Sequence, residues 1–153
     1  MGAAYFYHLT RQSLDEALPM LLSRSLQNGW RVTVRGTRAP MLEHLDQRLW
    51  QRGRPEDFLP HGMAGGEHDA RQPILLTTGA GVPNDAQCLM AVDAADVSVD
   101  EVNGLERVCI IFDGNDHDQL THARGQWKAL TDNGCSAQYW SQEGGGWQKK
   151  AEK

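Results

Sequence analysis

No apolar run in this chain approaches the roughly 20 residues that a helix needs to cross a bilayer, which excludes a helical membrane span. Nor does the chain open on a basic segment followed by the apolar stretch of a secretory leader, so the expectation is a cytoplasmic protein with no membrane contact. Basic charge is also scarce. Lys and Arg number 15 against 20 Asp and Glu, leaving −5 at pH 7 and a sequence pI near 5.6. Broad, sequence-independent wrapping of phosphates needs several cations along the backbone, so DNA is expected to be reached only indirectly, through another protein. Cysteine is the third shortage. There are three, with no Cys-x-x-Cys spacing, and two sit inside the apolar runs Cys88-Leu89-Met90-Ala91-Val92 and Val108-Cys109-Ile110-Ile111-Phe112. A disulfide framework and a thiolate metal centre are thereby disfavoured. Cys88, Cys109 and Cys135 read as buried thiols that behave as small hydrophobes in a reducing compartment.

What is present is an alternation of short apolar strands with amphipathic helices. Ala4 to Leu9 reads as a buried strand. Leu14, Leu18, Leu21, Leu22 and Leu26 then recur at helical spacing, started by Ser13 as N-cap with Glu16 three residues on, and stopped by Asn28-Gly29. Trp30 to Val34 is a second strand, and Pro40 to Trp50 a second helix with Leu42, Leu45 and Leu49 inward. Ile74 to Thr78, Gln87 to Val92 and Val108 to Phe112 supply three more strands. Asp116 to Asn133 forms the last long helix before Gly134, with an edge strand at Gln138 to Trp140. Because parallel strands joined through a helix cross over with one hand, this order predicts a three-layer α/β/α fold: a mostly parallel five-stranded sheet with helices on both faces. A length of 153 residues suits one domain. That domain is expected over 1–142, with an irregular glycine-rich loop at 53–72 and a flexible tail at 143–153.

Three clusters carry the residue types of chemistry, and each has a plainer explanation. His61, His68 and Asp69 fall short of the three or four suitably spaced ligands of a metal site and read as loop residues facing water or capping a turn, so no metal is expected. Gly79-Ala80-Gly81 lacks the third glycine of a dinucleotide loop, and Pro83 interrupts the helix that should follow; no cofactor is expected. Asp113-Gly114-Asn115-Asp116 has the composition of a turn and N-cap. A nucleotide- or small-molecule-binding α/β enzyme is the competing reading, with Asp113, Asp116 or His61 as acid and base. No catalytic residue is assigned.

The most informative stretch is Ala123-Arg124-Gly125-Gln126-Trp127-Lys128. At about 100° per residue, Arg124, Trp127 and Lys128 belong to one side of the last helix. A guanidinium offers a planar fork for a carboxylate, an indole a flat apolar wall, and an ammonium a point charge for acidic segments. Together they outline a receptor for the end of an acidic peptide.

Read with these residues, the first half of the chain resembles the chi subunits of bacterial DNA polymerase III. The resemblance runs through Tyr5-Phe6-Tyr7-His8-Leu9, Gly29-Trp30-Arg31-Val32-Thr33-Val34, Leu45-Asp46-Gln47-Arg48-Leu49-Trp50 and Phe58-Leu59-Pro60-His61, and extends to about Trp140. It implies an accessory subunit of the clamp loader that grips the acidic C-terminal tail of single-stranded-DNA-binding protein and couples the holoenzyme to coated template. Arg124, Trp127 and Lys128 match the positions implied for that tail, with Trp127 where the family has Tyr. An upstream Lys of the family has no counterpart near Leu120, and Arg107 is a candidate replacement. Trp50 and Phe58 match the positions implied for docking the psi subunit, if the source has one, although the spacer between them is one residue longer.

Overall fold

The computed structural model describes residues 2–50, 61–67, 69–79, 81–143 and 146–153. In chain order the elements are β1 (Ala3–Leu9), α1 (Leu14–Gln27), β2 (Val32–Arg35), α2 (Ala39–Trp50), β3 (Gly62–Met63), a 3-10 turn (Asp69–Arg71), β4 (Ile74–Thr77), β5 (Cys88–Ala91), α3 (Val99–Gly104), β6 (Arg107–Asp113), α4 (His117–Asp132), β7 (Ser136–Glu143) and β8 (Gly146–Glu152). The strands form one sheet in the order β3-β4-β2-β5-β6-β1-β7-β8. All neighbours are parallel except β7 and β8, which pair antiparallel.

The local signals act where the sequence places them. Glu16 accepts a hydrogen bond from the Ser13 backbone N–H at the start of α1, and past its end Gly29 takes φ +79°, a left-handed conformation that favours glycine. Asp116 caps α4, its Oδ1 accepting from the N–H groups of Asp118 and Gln119 at 3.0 and 3.2 Å. Connections through α1 and α2 run along the sheet in one direction and those through α3 and α4 in the other. A constant crossover hand then puts the two pairs of helices on opposite faces. The packing agrees: Leu18, Leu22, Leu42, Leu45 and Leu49 bury against Val34, Ile74, Met90 and Ile111, whereas Val102, Ala123 and Leu130 bury against Phe6, Leu89, Val108 and Ile110. The three layers expected from sequence are therefore present.

The sheet has eight strands among the described residues, not five. β3 is two residues long and comes from the glycine-rich stretch, where no hydrophobic run marks it. Gln138 to Trp140 lies within β7, which is not an edge: it pairs with β1 on one side and β8 on the other. Gly146–Glu152 pairs along β7, where its composition pointed to a free tail. An edge strand can be polar, because backbone pairing holds it and charged side chains discourage further strand addition. β8 has one apolar anchor: the Trp147 ring meets Tyr7 edge-on at 5.1 Å.

The three cysteines are buried free thiols. Buried Arg35 pairs with Glu101 and donates to the carbonyls of Gly79, Gly81 and Asp96, joining β2, the turn after β4 and the approach to α3. Gly79 and Gly81 thus present carbonyls to an internal guanidinium, the reverse of a loop whose N–H groups cradle phosphate. Among the described residues no helix is long and apolar enough to cross a membrane.

Candidate functional site

α4 lies across β6, β1 and β7 and leaves a cleft of about 540 Å³ between its exposed side and the end of β8. Phe112 of β6, Leu120, Arg124 and Trp127 of α4, and Tyr139 of β7 form most of its wall. Lys150 and Lys153 close it from the β8 side, where Glu152 is the acidic neighbour. The chemistry is aromatic at the floor and cationic at the rim.

Each wall residue is held by its element. Trp127 packs edge-on against Phe6 at 5.2 Å and Tyr139 at 6.0 Å, so the indole is fixed and half-buried. The His8 ring stacks on Phe112 at 5.0 Å, and the Tyr139 hydroxyl shares a 2.7 Å hydrogen bond with His8 Nδ1. Gly114 permits this approach, since a Cβ there would collide with His8 Nε2. Burial holds His8 below the ordinary histidine pKa, and the Arg124 guanidinium lowers it further. Burial raises the Tyr139 phenol above its usual value, while Arg124 opposes the rise. Arg124 is itself exposed, with no ion pair among the described residues.

Arg124 and Trp127 thus share the cleft, but Lys128 does not line it. One residue beyond Trp127, it is rotated about 100° away and pairs with Asp132 at 3.0 Å, with its side chain 80 % exposed. Arg107 is no replacement for a cleft base. It stands over the Tyr5 ring at 4.2 Å and the Trp30 ring at 5.0 Å, on the α1 face of the sheet. The cations that sequence reasoning missed are Lys150 and Lys153, and the missed aromatics are Phe112 and Tyr139. Apolar alternation in β6 hinted at Phe112; nothing local marked β8.

At the other end of the sheet, Trp50 is 54 % exposed at the close of α2, beside the inward Leu49. It is therefore not core. Its ring lies 4.4 Å from that of His61, which is buried and meets Asp46 through Oδ1 at 3.1 Å and the backbone oxygen at 3.2 Å. His61 corrects the expectation of a loop histidine facing water or capping a turn: it is buried beneath Trp50 and bonds to Asp46 of α2. Phe58 and His68 lie outside the described residues.

The remaining candidates are accounted for by local structure. Asp69 accepts from the N–H groups of Gly65 and Gly66. Asp113 Oδ1 accepts from Asn115 N–H, and Asp116 is the α4 cap. His61 stands against α2, apart from both aspartates, and Asp113 and Asp116 share one turn in which their carboxylates accept from backbone N–H groups. No group of three metal-ligating side chains occurs among the described residues.

Residues 1–138 match the family described as DNA polymerase III chi subunit, HolC. A protein of Rickettsia prowazekii (strain Madrid E) named "Probable DNA polymerase III subunit chi" is 25 % identical over 112 residues, covering 70 % of this chain and 67 % of that one.

Proposed function

Because this chain belongs to the DNA polymerase III chi subunit family, and so to the accessory proteins of replication, we propose that it is the clamp-loader subunit that binds the acidic C-terminal tail of single-stranded-DNA-binding protein, in the cleft between α4 and β8. The observation that carries this reading is the cleft itself: an aromatic floor with the Arg124 fork on one rim and two lysines on the other. A flexible tail ending in Phe presents an apolar ring, a terminal carboxylate and upstream acids. The ring fills the space beside Trp127, Phe112 and Tyr139, where desolvation is most complete and truncation most costly. Arg124 takes the carboxylate as a charge-assisted pair. Lys150 and Lys153 draw in the upstream acids, the role expected of Lys128. Subunits docked elsewhere on the chain would thereby be tethered to coated template without this cleft touching a base.

Trp50 supports a second contact in the same assembly. A large indole exposed at a helix end and braced by a buried His61 is a preorganised apolar anchor. Docking of a psi subunit, where one exists, is assigned to the face that Trp50 exposes. Titration of an acidic, Phe-terminated peptide into the wild-type chain tests the tail reading, with Arg124→Ala as its partner experiment; saturable binding, weakened roughly thirty-fold in the variant, is the expected result.

A further inference from the structure

β7 turns Tyr139 toward the α4 cleft and Trp140 toward the opposite face, as neighbours on a strand must. On that opposite face, between α1 and the β7–β8 hairpin, lies a second hollow of about 530 Å³ that includes Arg11, Met20, Arg24, Trp140 and Trp147 in its lining. We propose that this hollow binds single-stranded nucleic acid, its indoles stacking bases and its arginines pairing with phosphates.

Two positive charges on this face are uncompensated among the described residues. Arg11 and Arg24 are exposed, and the side chain of neither enters an ion pair or hydrogen bond among the described residues, whereas Arg35, Arg38 and Arg48 each meet a carboxylate. The nearby acids of α1 are already engaged: Asp15 by His44 and Arg48, Glu16 by Ser13. Arg11 is also presented by a fixed loop. The Gln142 side-chain oxygen accepts from three successive backbone N–H groups, those of Thr10, Arg11 and Gln12, each at 3.1 Å, and Gln142 is buried.

The same chemistry repeats along the face. Arg24 lines both this hollow and a smaller one beside it that contains Arg107, which stands over the rings of Tyr5 and Trp30. Cations and aromatic rings are therefore interspersed on this face, with Arg11, Trp140, Trp147 and Arg24 in one hollow and Arg107 beside Trp30 next to it. A polymer with a charge and a π face at every repeat matches such a track, and stacking requires no particular base. A peptide tail would use only its end. The net charge of −5 still disfavours wrapping of a duplex, so the site selects single strands and is salt-sensitive.

Fluorescence anisotropy of a labelled oligothymidylate of about 20 nucleotides with the full chain tests this, alongside a duplex of equal length and an acidic Phe-terminated peptide. Saturable binding of the single strand at low salt is expected, with the duplex weaker by at least about ten-fold. Neutralising three phosphates, at Arg11, Arg24 and Arg107, gives a slope of log affinity against log salt near −2, from about −0.7 per contact. Arg24→Glu is expected to weaken the single strand at least about ten-fold and Arg124→Ala to leave it within about two-fold, which separates this site from the cleft. Arg11→Glu, in a loop fixed by its backbone, carries the same expectation if Arg24→Glu does not fold. No saturable binding at low salt, equal binding of the duplex, or binding that survives both charge reversals overturns the proposal. Arg24-dependent binding of the acidic peptide without binding of the oligomer also overturns it, and makes the hollow a peptide site.

Discussion

The Tyr139 hydroxyl lies 2.7 Å from Nδ1 of His8, and this contact joins the side chains of the neighbouring strands β7 and β1 on the cleft side of the sheet. The two rings meet edge-on at 5.8 Å, while His8 stacks on Phe112, so one histidine braces two of the aromatic walls. Arg124 acts on both groups of the pair electrostatically. Cleft chemistry and local stability are therefore linked through a residue that the ligand need not touch.

His8 titration is the first consequence. Its folded pKa is depressed, by burial first and by Arg124 second, whereas the unfolded ring titrates at about 6.5. Between those values the unfolded state binds more protons, so this contribution to stability is complete above about pH 6.5 and is lost as pH falls through the folded value. Arg124→Ala removes the repulsion and should raise the His8 midpoint followed by NMR. An unchanged midpoint in the variant contradicts the coupling.

Trp127 serves the fold as well as the cleft, since its indole packs on Phe6 and Tyr139. Trp127→Ala should cost about 2–3 kcal/mol of stability by denaturant titration, together with tail affinity. Trp127→Phe keeps a ring on the floor and should recover most of both. A stable Trp127→Ala chain with intact binding removes the indole from the account.

Lys128 and Lys150 should separate. Lys128→Ala breaks an exposed i,i+4 pair with Asp132, worth only a few tenths of a kcal/mol, and should leave tail affinity within about two-fold. Lys150→Ala removes a cleft-lining ammonium and should slow association several-fold at low salt, with little effect on dissociation. Stopped-flow traces with the opposite ranking return the steering role to α4.

Trp50→Ala should abolish docking of a psi subunit while leaving tail binding untouched, because distant surfaces without shared partners act additively. A substitution at a side chain 54 % exposed is expected to change the melting temperature little. Loss of both activities, with a fall in melting temperature, makes Trp50 a structural residue.

The sequence was legible where physics is local. The Leu14 to Leu26 spacing and the Ser13 and Glu16 cap locate α1, and the Asp116 cap with Gly134 bounds α4. α3 carried its signal, Ser98 with Glu101 three residues on, but six residues are too few for periodicity to show and only Val102 is buried. The cleft was half legible. Arg124 and Trp127 stand on one helix at helical spacing, whereas Tyr139, Phe112 and Lys150 reach it through strand pairings between segments distant in sequence. β8 was missed because an edge strand of Gln and Lys has the composition of a tail, and His61 because its burial depends on Trp50 and Asp46 from another element.

The most direct test of the central claim is calorimetric titration of an acidic, Phe-terminated peptide into the wild-type chain and Arg124→Ala, from about 20 to 300 mM salt, over which the Debye length falls from roughly 20 Å to under 6 Å. Wild-type affinity should weaken with salt yet keep a resistant remainder, because the ring and the Arg124 pair are screened far less than the lysines and upstream acids. Arg124→Ala, or removal of the terminal Phe, should each cost about 2 kcal/mol, roughly thirty-fold, with the melting temperature of the variant unchanged. Equal binding by a peptide lacking its Phe, or undiminished binding by Arg124→Ala, contradicts the account.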